Sequence, residues 1–571
     1  HGHEALKCFE RMHTEGLSPD AITFTCILKA CGSTRNIGKG IKFHDEIIRK
    51  GLLENNVVLG NALVDMYAKC GVLRKAQQVL NELPVRDIVS WSSLIGGYTQ
   101  HGLGHEALKC FEQMKEDGIA PDVVTFTCAL KACSSTGSIE KGAQIHDEVA
   151  RRGLLGRYIV LGNALVDMYA KCGEVVKAHE ALEKIHVRDM ISWSALIAGY
   201  VQLHQGHEAL NCFERMKGEG LSPHVVTLTC ILKACGIIGD IDKGKQIHSE
   251  IIIRGFLENN SVVGNALVDM YVKCGLLAKA QQVHDHLCIR DVVSWSALIA
   301  GYAQQGRGHE ALNCFERLKG EGISPDMITF ACILKACSSI GAIDKGKEIH
   351  DEIVHMGLLD KDIVLGNALV GMYAKCGALA KAEEVLQELP TQNIVSWSAV
   401  IAGYAQKGQA YEAFKCFERM RDEGFSPDAV TLLCVLNACS HSGLYDEAQI
   451  YFRNMRRKYG VLQNLEHHTC MVVNFGRGGH FDQAMSFINS IPSCDHLPVW
   501  LALLAACRKW GNIKLGGLAF DQAIRLDNNC AAAYILMSNI YAAAGIEEGS
   551  LILEAVRQKH AHWKKPSNNS W

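Results

Sequence analysis

An internal repeat of 102 residues constrains this sequence more than any other feature. The tripeptide Ser-Trp-Ser recurs at that step, with its tryptophan at Trp91, Trp193, Trp295 and Trp397. Five prolines keep the same step, at Pro19, Pro121, Pro223, Pro325 and Pro427. Self-similarity at a fixed spacing is typical of repeat architectures, in which each unit packs on its neighbours. The sequence therefore predicts one continuous array and not a series of separate globular domains.

Each 102-residue period contains three related segments, which span residues 88–122, 123–158 and 159–189 and are 35, 36 and 31 residues long. In the first segment, apolar residues spaced i, i+3, i+4 and i+7 predict one amphipathic helix; they are Trp91, Leu94, Ile95 and Tyr98. Gly102 follows that helix, and a second apolar stripe comes after it at Ala107, Phe111 and Met114. Two short helices cannot bury both stripes alone, so neighbouring hairpins must stack. The predicted fold class is all-α, a right-handed α-solenoid superhelix of helix-turn-helix repeats.

The composition is that of a folded protein without a strong charge bias. Apolar residues make up 48% of the chain, and 58 Lys and Arg stand against 61 Asp and Glu, for a net charge of −3. These values exclude a disordered tail, and no stretch approaches the roughly 18 apolar residues that a membrane span needs. The charge balance also lacks the basic excess that is common in nucleic-acid-binding proteins. Function must therefore be read from the pattern of residues.

The positions of the 24 cysteines argue against a metal site. Pairs such as Cys26 and Cys31 have a C-x4-C spacing, which places the two thiols about 140° apart around a helix, too far to share a metal. We interpret second-helix residues such as Cys110, and Cys70 with its copies, as small buried apolar side chains, and the number of cysteines as a sign of a reducing compartment. The histidines at repeat positions are interpreted as hydrogen-bonded helix residues; they are His44, His146, His248 and His350. No metal and no cofactor are predicted.

Longer motifs give the sequence a family resemblance. The string GNALVDMYAKCG occupies residues 60–71 and has near copies that begin at residues 162, 264 and 366. The strings LKAC and KGxQIH mark the 36-residue segments, the latter at residues 141–146. In these motifs the chain resembles the pentatricopeptide repeat family, specifically the plant subclass in which P, L and S repeats alternate. The resemblance covers essentially the whole chain and implies a partial P repeat at 1–20, an array of L, S and P repeats at 21–464, a closing S repeat at 465–496 and two E-like motifs at 497–571.

The E-like segment relates the chain to the RNA-editing branch of that family. Its strings PVWLALLAACRKWGN and MSNIYAAAG resemble the motifs that follow the repeats there. A cytidine deaminase needs an H-x-E element and a downstream P-C-x-x-C to hold and use zinc. The sequence has no P-C-x-x-C, and the H-x-E match at His350 has copies at His44 and His146, which mark it as an L-repeat element. The resemblance thus implies an RNA-binding specificity factor that is not an enzyme and that recruits a DYW-type deaminase, or editing accessory proteins, in trans through residues 497–571.

Repeat proteins of this kind bind single-stranded RNA with one base per repeat. The resemblance implies that residue 5 of a repeat and its last residue select the base. These pairs are Asn61 with Asp87, Ser92 with Asp122, Asn163 with Asp189, Ser194 with His224, Asn265 with Asp291, Ser296 with Asp326, Asn367 with Asn393, Ser398 with Asp428, and Thr469 with His496. By the family code, Asn with Asp selects U, Ser with Asp selects G, and Asn with Asn selects a pyrimidine. His224 departs from the code and, like the closing pair, is assigned an unspecified purine.

Residue 2 of each repeat is a valine or isoleucine until Glu466 interrupts the series. The resemblance implies that these side chains sandwich the bases; in the S and P repeats they are Val58, Val89, Val160, Ile191, Val262, Val293, Val364 and Val395. A β-branched residue near the start of a helix is also a common core residue. Core packing is therefore the alternative interpretation of this series.

Two alternative functions fit parts of the same pattern. Trp91 and Tyr98 match the tetratricopeptide spacing, which favours a peptide-binding scaffold, although Ile95 occupies the place of its small glycine. An organellar RNA splicing or stability factor without editing would use the same repeats. The resemblance implies a mitochondrial protein, with the chloroplast as the alternative. Because His1 aligns with Leu103, the chain opens inside a P repeat, and we expect any targeting segment to lie upstream.

Overall fold

The computed structural model describes residues 1–53, 56–185, 187–258, 260–360, 362–491, 496–546 and 549. Within these ranges all regular structure is α-helical, in 32 helices, and no strand occurs. The prediction of an all-α chain is confirmed. The chain divides into two compact units, His1–Arg290 and Asp291–Trp571. The end of the second E-like motif, from residue 550 onward, lies outside the described residues.

The first unit contains seventeen of the described helices. They are α1 Gly2–Thr14, α2 Ala21–Thr34, α3 Ile37–Arg49, α4 Val57–Lys69, α5 Leu73–Glu82, α6 Ile88–Gln100, α7 Gly104–Glu116, α8 Val123–Thr136, α9 Ile139–Arg151, α10 Ile159–Lys171, α11 Val175–Lys184, α12 Met190–Gln202, α13 Gly206–Gly218, α14 Val225–Ile238, α15 Ile241–Ile253, α16 Ser261–Lys273 and α17 Leu277–Asp285.

The second unit contains the remaining fifteen. They are α18 Val292–Gln304, α19 Gly308–Gly320, α20 Met327–Ile340, α21 Ile343–His355, α22 Ile363–Lys375, α23 Leu379–Glu388, α24 Ile394–Gln406, α25 Ala410–Asp422, α26 Ala429–Ser442, α27 Tyr445–Lys458, α28 Leu465–Gly478, α29 Phe481–Ser490, α30 Leu497–Trp510, α31 Ile513–Leu526 and α32 Ala531–Ala543.

The helices form hairpins in which each even-numbered helix is followed by its odd-numbered partner. We call the even-numbered members first helices and the odd-numbered members second helices. Consecutive first helices pack on each other, as α4, α6 and α8 do, and a second helix such as α7 packs on both its own first helix and the next one. Each hairpin thus shares its core with its neighbours, which is the arrangement expected when a single hairpin cannot bury both apolar stripes.

The predicted apolar stripes form this shared core. Trp91 and Tyr98 of α6 and Phe111 of α7 are 2%, 5% and 2% exposed. Gly97 permits close approach of α6 to α4, because a Cβ atom built at this glycine would lie 2.7 Å from the Cβ of Ala68. This contact keeps consecutive first helices close enough for their side chains to share hydrogen bonds.

The second-helix cysteines Cys110, Cys212, Cys314 and Cys416 are buried, as interpreted from the sequence, whereas Cys70 and its copies are only partly buried. Cys110 is buried, and its burial raises the pKa of the thiol to about 12, so it stays protonated and apolar. The Nδ1 atom of His44 lies 2.9 Å from the hydroxyl of Tyr67 on the next first helix. Equivalent pairs join His146 to Tyr169, His248 to Tyr271 and His350 to Tyr373. No helix in the described ranges is both long and apolar enough to cross a membrane.

Candidate nucleic-acid interface

The predicted base-reading residues lie at the beginnings of the first helices. With position 1 as the first residue of a first helix, the predicted residues occupy positions 2 and 5, and the last residue of each hairpin is the N-cap of the next first helix. A groove of about 360 Å³ in the first unit brings these positions together. It is lined by Val89, Ser92, Asp122 and Val124, among others. The four side chains therefore face one common space between α6 and α8.

The valines and isoleucines at position 2 are exposed. Each has more than half of its surface accessible; the exposed fractions are 63% for Val58, 52% for Val89, 62% for Val160, 59% for Ile191, 57% for Val262, 54% for Val293, 60% for Val364 and 60% for Val395. The position-2 residues of the L repeats, such as Val124 and Ile328, are equally open. The core-packing interpretation of this series is therefore wrong. The physical reason is that position 2 falls on the helix face opposite to the stripe that contains Trp91 and Tyr98.

An asparagine at position 5 and the last aspartate of its hairpin are directly bonded in the first two complete S repeats. The Nδ2 atom of Asn61 donates to Oδ2 of Asp87 at 2.9 Å. The other carboxylate oxygen, Oδ1, accepts from the backbone N–H of Ser90 at 2.9 Å and so caps α6. Asn163 and Asp189 repeat both interactions around α12. The sequence D-x-x-S dictates this local structure, since it encodes a capping box.

These asparagines keep one hydrogen-bonding atom unused. The Oδ1 atoms of Asn61 and Asn163 are buried and accept no hydrogen bond from the described residues. A buried carbonyl oxygen without a donor is costly, by about 1–3 kcal/mol. An unsatisfied oxygen that recurs at position 5 of successive S repeats is unusual in a folded protein and is typical of a site that binds a ligand.

The Asn367–Asn393 pair differs from this pattern, although the helix caps are the same throughout. Asp291 caps α18 with a capping box, as Asp87 caps α6. Asn393 caps α24 through the N–H of Ser396 at 2.9 Å, but no hydrogen bond joins it to Asn367 among the described residues. The replacement of Asp by Asn thus preserves the helix cap and loses the direct link between the two predicted reading residues.

The serine pairs of the P repeats are linked through a threonine. The Oγ atom of Ser92 lies 2.8 Å from Oγ1 of Thr125, and that hydroxyl donates to Oδ1 of Asp122 at 2.7 Å. The same chain of contacts joins Ser296 to Asp326 through Thr329, and Ser398 to Asp428 through Thr431. Sequence reasoning missed these threonines, although their recurrence every 102 residues at position 3 of the L repeats was a visible signal.

His224 takes part in the same type of network, although it departs from the base-selection code. Its Nδ1 atom lies 2.6 Å from Oγ1 of Thr227, which is 2.7 Å from Oγ of Ser194. Unlike Asp122, His224 forms no side-chain cap with the next helix. Burial lowers the pKa of His224 below its ordinary value, which favours the neutral imidazole.

The closing repeat places its predicted residues in a different setting. The hydroxyl of Thr469 donates to the carbonyl of Leu465 at 2.8 Å, and His496 is the N-cap of α30. Position 2 is Glu466, so the apolar series ends here. A second groove, of about 510 Å³, is lined by Ala402, Asn437 and Arg477, among others, which lie farther along α24, α26 and α28 than position 5.

The charge of the first helices is basic although the chain as a whole is not. Their positively charged residues are Lys29, Lys69, Lys131, Lys171, Lys233, Lys273, Lys335, Lys375, Arg477, Arg508 and Lys509. Their negatively charged residues are only Asp65, Asp167, Asp269 and Glu466. Since the net charge of the chain is −3, the acidic excess lies outside these helices, and a large part of it is the aspartates that cap them, such as Asp87 and Asp122. The first-helix surface therefore combines a net positive charge with the aspartate caps at its helix starts.

Some of these lysines have an acidic partner on their own helix. Lys69 lies 2.7 Å from Asp65, one turn before it, and the equivalent pairs Lys171–Asp167 and Lys273–Asp269 are 2.9 and 2.8 Å long. In α22 the aspartate is replaced by Gly371, so Lys375 lacks this partner. Exposed pairs of this kind contribute little to stability, about 0.3–0.5 kcal/mol, and can exchange for another anion.

Models of known families match most of the chain. A PPR repeat family model matches residues 86–135, 188–236, 290–339 and 392–441. A pentatricopeptide repeat domain model matches residues 2–34, and a PPR repeat model matches residues 22–52, 61–88, 163–190, 367–394 and 430–459.

Individual proteins of Arabidopsis thaliana are similar along nearly the whole chain. A mitochondrial pentatricopeptide repeat-containing protein is 32% identical over 544 residues, which cover 95% of this chain and 78% of the relative. A chloroplastic one is 33% identical over 557 residues, which cover 97% of this chain and 68% of the relative.

Solved structures of the maize pentatricopeptide repeat protein PPR10 have the same fold. The crystal structure of that protein has a TM-score of 0.56 at 21% identity, over 90% of this chain and 77% of the maize chain. Its complex with an 18-nt psaJ RNA element has a TM-score of 0.56 at 18% identity, over 98% of this chain and 83% of the maize chain.

Proposed function

The chain belongs to the pentatricopeptide repeat family, and from this premise we propose that it is a sequence-specific adaptor for single-stranded organellar RNA that reads one base per repeat. One observation carries the proposal: exposed β-branched side chains and paired polar side chains recur at a common register where the first helices begin. A peptide groove gives no reason for asparagine and serine to alternate at one position. The maize relative with the same fold was crystallised with an RNA element, which supports the same class of ligand.

The bonded pairs suggest how each base is distinguished. In the S repeats, the remaining Nδ2–H of Asn61 is a donor and Asp87 is an acceptor, which complements a carbonyl oxygen and the N3–H of uracil. In the P repeats, Ser92 and Asp122 offer acceptors, which complement the adjacent N1–H and N2–H groups of guanine. The polar pairs therefore supply specificity. The predicted target, read 5′ to 3′ from the N-terminal side, is UGNURNUGNYGNR, with the N positions opposite the L repeats.

The position-2 side chains supply contact area and not specificity. Every base has an apolar face, so a valine or isoleucine on each side stabilises any base that reaches the groove. Burial of apolar surface contributes about 25 cal/mol per Å². The exposed row from Val58 to Val430 would thus become buried only when RNA binds.

The net positive charge of the first helices supports binding of a phosphate backbone. RNA that follows the first helices would meet Lys131, Lys233 and Lys335, all of which are exposed. Phosphate contacts release counterions, so we expect affinity to fall with added salt, with a logarithmic slope of about −0.7 per phosphate neutralised. A net charge of −3 is therefore compatible with RNA binding, because the exposed lysines of the first helices can meet phosphates while the aspartate caps at the helix starts face the bases.

We further propose that the adaptor acts in C-to-U RNA editing, without catalysing the reaction itself. The support is the resemblance of residues 497–571 to E motifs, together with the lack of a P-C-x-x-C element in the sequence. In this proposal α30–α32 belong to the segment that recruits a DYW-type deaminase or editing accessory proteins in trans. The names of the relatives, mitochondrial and chloroplastic, support an organelle as the location, and we propose the mitochondrion, with the chloroplast as the alternative.

A gel-shift experiment with the purified chain tests the proposal. The probe is a 13-nucleotide RNA with the predicted order of bases and with different bases at its four N positions, so that it contains no short repeat. The competitor is a shuffled RNA of the same composition at the same salt concentration. We expect the ordered RNA to bind at least about tenfold more tightly. Equal binding of the two RNAs would contradict sequence-specific reading, and a splicing or stability factor would bind the ordered RNA without associating with a deaminase.

A further inference from the structure

A buried threonine lies beneath each serine pair of the P repeats. Thr125, Thr227, Thr329 and Thr431 have no exposed surface, although each occupies position 3 of a helix whose position 2 is more than half exposed. Thr23, at the same position of the first L repeat, is only partly buried. Complete burial of a hydroxyl is tolerated only when its hydrogen bonds are made.

The threonine contacts both members of the reading pair. In the third complete P repeat, Oγ1 of Thr329 lies 2.6 Å from Oγ of Ser296 and donates to Oδ1 of Asp326, also at 2.6 Å. The backbone N–H of Thr329 donates to the same carboxylate oxygen at 2.8 Å. One residue thus fixes the aspartate through two hydrogen bonds and touches the serine of the preceding first helix.

The direction of these bonds follows from the protons available. A carboxylate accepts hydrogen bonds and cannot donate them, so the single proton of Thr125 is committed to Asp122. The oxygen of Thr125 can then only accept from Ser92. The serine has one proton, which it directs either to Thr125 or to the carbonyl of Ile88 at 2.6 Å. In both cases the proton points into the protein and the lone pairs of the serine point outward.

We infer that Thr125, Thr329 and Thr431 are positioning residues that fix the serine of each P repeat as a hydrogen-bond acceptor and thereby favour guanine over adenine. This inference rests on the proposed function and adds residues that select the base without touching it. Guanine presents two adjacent donors to the serine and aspartate. Adenine presents a donor and an acceptor, and the acceptor finds no proton because the serine proton is held inside.

His224 gives the same result at the remaining P repeat. If its Nδ1 carries a proton, the chain runs from His224 to Thr227 to Ser194, and Ser194 donates to the carbonyl of Met190 at 2.7 Å. If Nδ1 carries none, Thr227 donates to it, and the direction matches that of the aspartate repeats. The serine proton is directed inward in either tautomer.

Substitution of Thr125 by valine and by serine separates the role of the hydroxyl from that of packing. Valine has nearly the shape of threonine but no hydroxyl, so in Thr125→Val the carbonyl of Ile88 is the only inward acceptor left among the described residues for the serine proton, which can now also turn outward. Thr125→Ser keeps the hydroxyl and loses a methyl group. The measurement is the ratio of dissociation constants for two RNAs that carry G or A opposite the first complete P repeat. We expect the preference for G to fall about tenfold in Thr125→Val, equivalent to about 1.4 kcal/mol, and to be kept in Thr125→Ser.

Two internal controls make the result decisive. The preference for U opposite Asn61 and Asp87 should be unchanged in Thr125→Val, because those residues bond directly and not through a threonine. The same substitution at Thr431, in the second unit, should lower the G preference only at its own base. An unchanged G-to-A ratio in both valine variants, with U selection intact, would overturn the positioning role alone. Loss of all base preference in the unmodified chain would overturn the proposed function and this inference with it.

Discussion

The side chain of Asn61 donates a hydrogen bond of 2.9 Å to the carboxylate of Asp87, and Asp87 in turn caps the helix that begins at the next residue. One carboxylate therefore serves both the fold and the predicted site. Its Oδ1 atom satisfies the N-terminus of α6, and its Oδ2 atom meets the residue that lies at position 5 of the preceding first helix. Asn163 and Asp189 repeat the relationship 102 residues later.

Substitution of Asp87 should separate these two roles. Asparagine is as good an N-cap as aspartate, and Asn393 shows it capping α24 in this chain. We expect Asp87→Asn to change the free energy of unfolding by less than about 0.5 kcal/mol and to weaken the preference for U over C at its base. Asp87→Ala should lose both the helix cap and the preference for U over C, with a destabilisation of about 1 kcal/mol. Thermal unfolding and binding to the U and C probes measure the two effects, and a stable Asp87→Asn variant that still rejects C would contradict the reading role.

His224 is the last residue of the second complete P repeat and the N-cap of α14. Unlike the aspartates at the ends of the other P repeats, its side chain accepts no hydrogen bond from a backbone N–H of the helix that it precedes. His224→Asp should restore the cap to the backbone N–H of Thr227, as in the other P repeats, and stabilise the protein by about 1 kcal/mol. A carboxylate is also a stronger acceptor than a neutral imidazole, so the preference for G at this base should rise. The reverse substitution Asp326→His is the matched control and should lower both stability and G preference. A destabilised His224→Asp variant would show that the imidazole has a packing role that the cap does not replace.

Val160 and Leu165 lie on opposite faces of α10 and offer a matched pair. Val160 is 62% exposed and Leu165 is fully buried. Val160→Ala should leave the melting temperature nearly unchanged, because surface substitutions usually stay within about 0.5 kcal/mol. It should weaken RNA binding about threefold to tenfold, because two methyl groups that become buried against a base are lost. Leu165→Ala should instead destabilise the fold by about 2–5 kcal/mol. Undiminished RNA affinity in Val160→Ala would argue against the sandwich of bases.

The histidine–tyrosine pairs, which are buried or partly buried, should make the fold sensitive to acid. The pKa of His146 is lowered below its ordinary value, mainly by burial and to a smaller extent by the positive charge of Lys184. A histidine with a lowered pKa binds fewer protons in the folded state than in the unfolded state, so its contribution to stability is present at neutral pH and is lost as the pH falls below about 6.5. His44, His248 and His350 are shifted in the same direction.

Thermal unfolding at pH 7.5 and at pH 5.5 measures this effect. His146→Gln keeps a group that can bond to Tyr169 but cannot titrate, so the difference between the two melting temperatures should shrink. His105→Gln, at an exposed position of α7, is the control and should leave the difference unchanged. The same loss of stability at pH 5.5 in His146→Gln and in the unmodified chain would exclude the His146–Tyr169 pair as a source of acid sensitivity.

The sequence was sufficient to predict the helical hairpins but not the surface chemistry between them. The spacing of Trp91 and Tyr98 and the cap at Asp87 fix α6 locally, so its position along the chain follows from the residues alone. Val160 could not be assigned to core or surface, because a β-branched residue at position 2 satisfies both patterns and only the packing of neighbouring first helices decides. The role of Thr125 could not be predicted for a related reason. Its contact with Ser92 joins residues 33 positions apart in the chain and depends on how closely α6 and α8 approach each other.

The exchange of Asn163 for serine tests base reading most directly. In Asn163→Ser the pair formed with Asp189 has the residues of a P-repeat pair, although Ser192 and not a threonine lies at position 3 of α12. The preferred base opposite this repeat should change from U to G, with weaker rejection of A than in a P repeat, while the bases opposite Asn61 and Ser92 stay as they were. The measurement is binding, at one salt concentration, to four RNAs that differ only at that base. Base selection by position 5 predicts a change of preference from U to G at this base alone. Tight binding with an unchanged preference for U would contradict it.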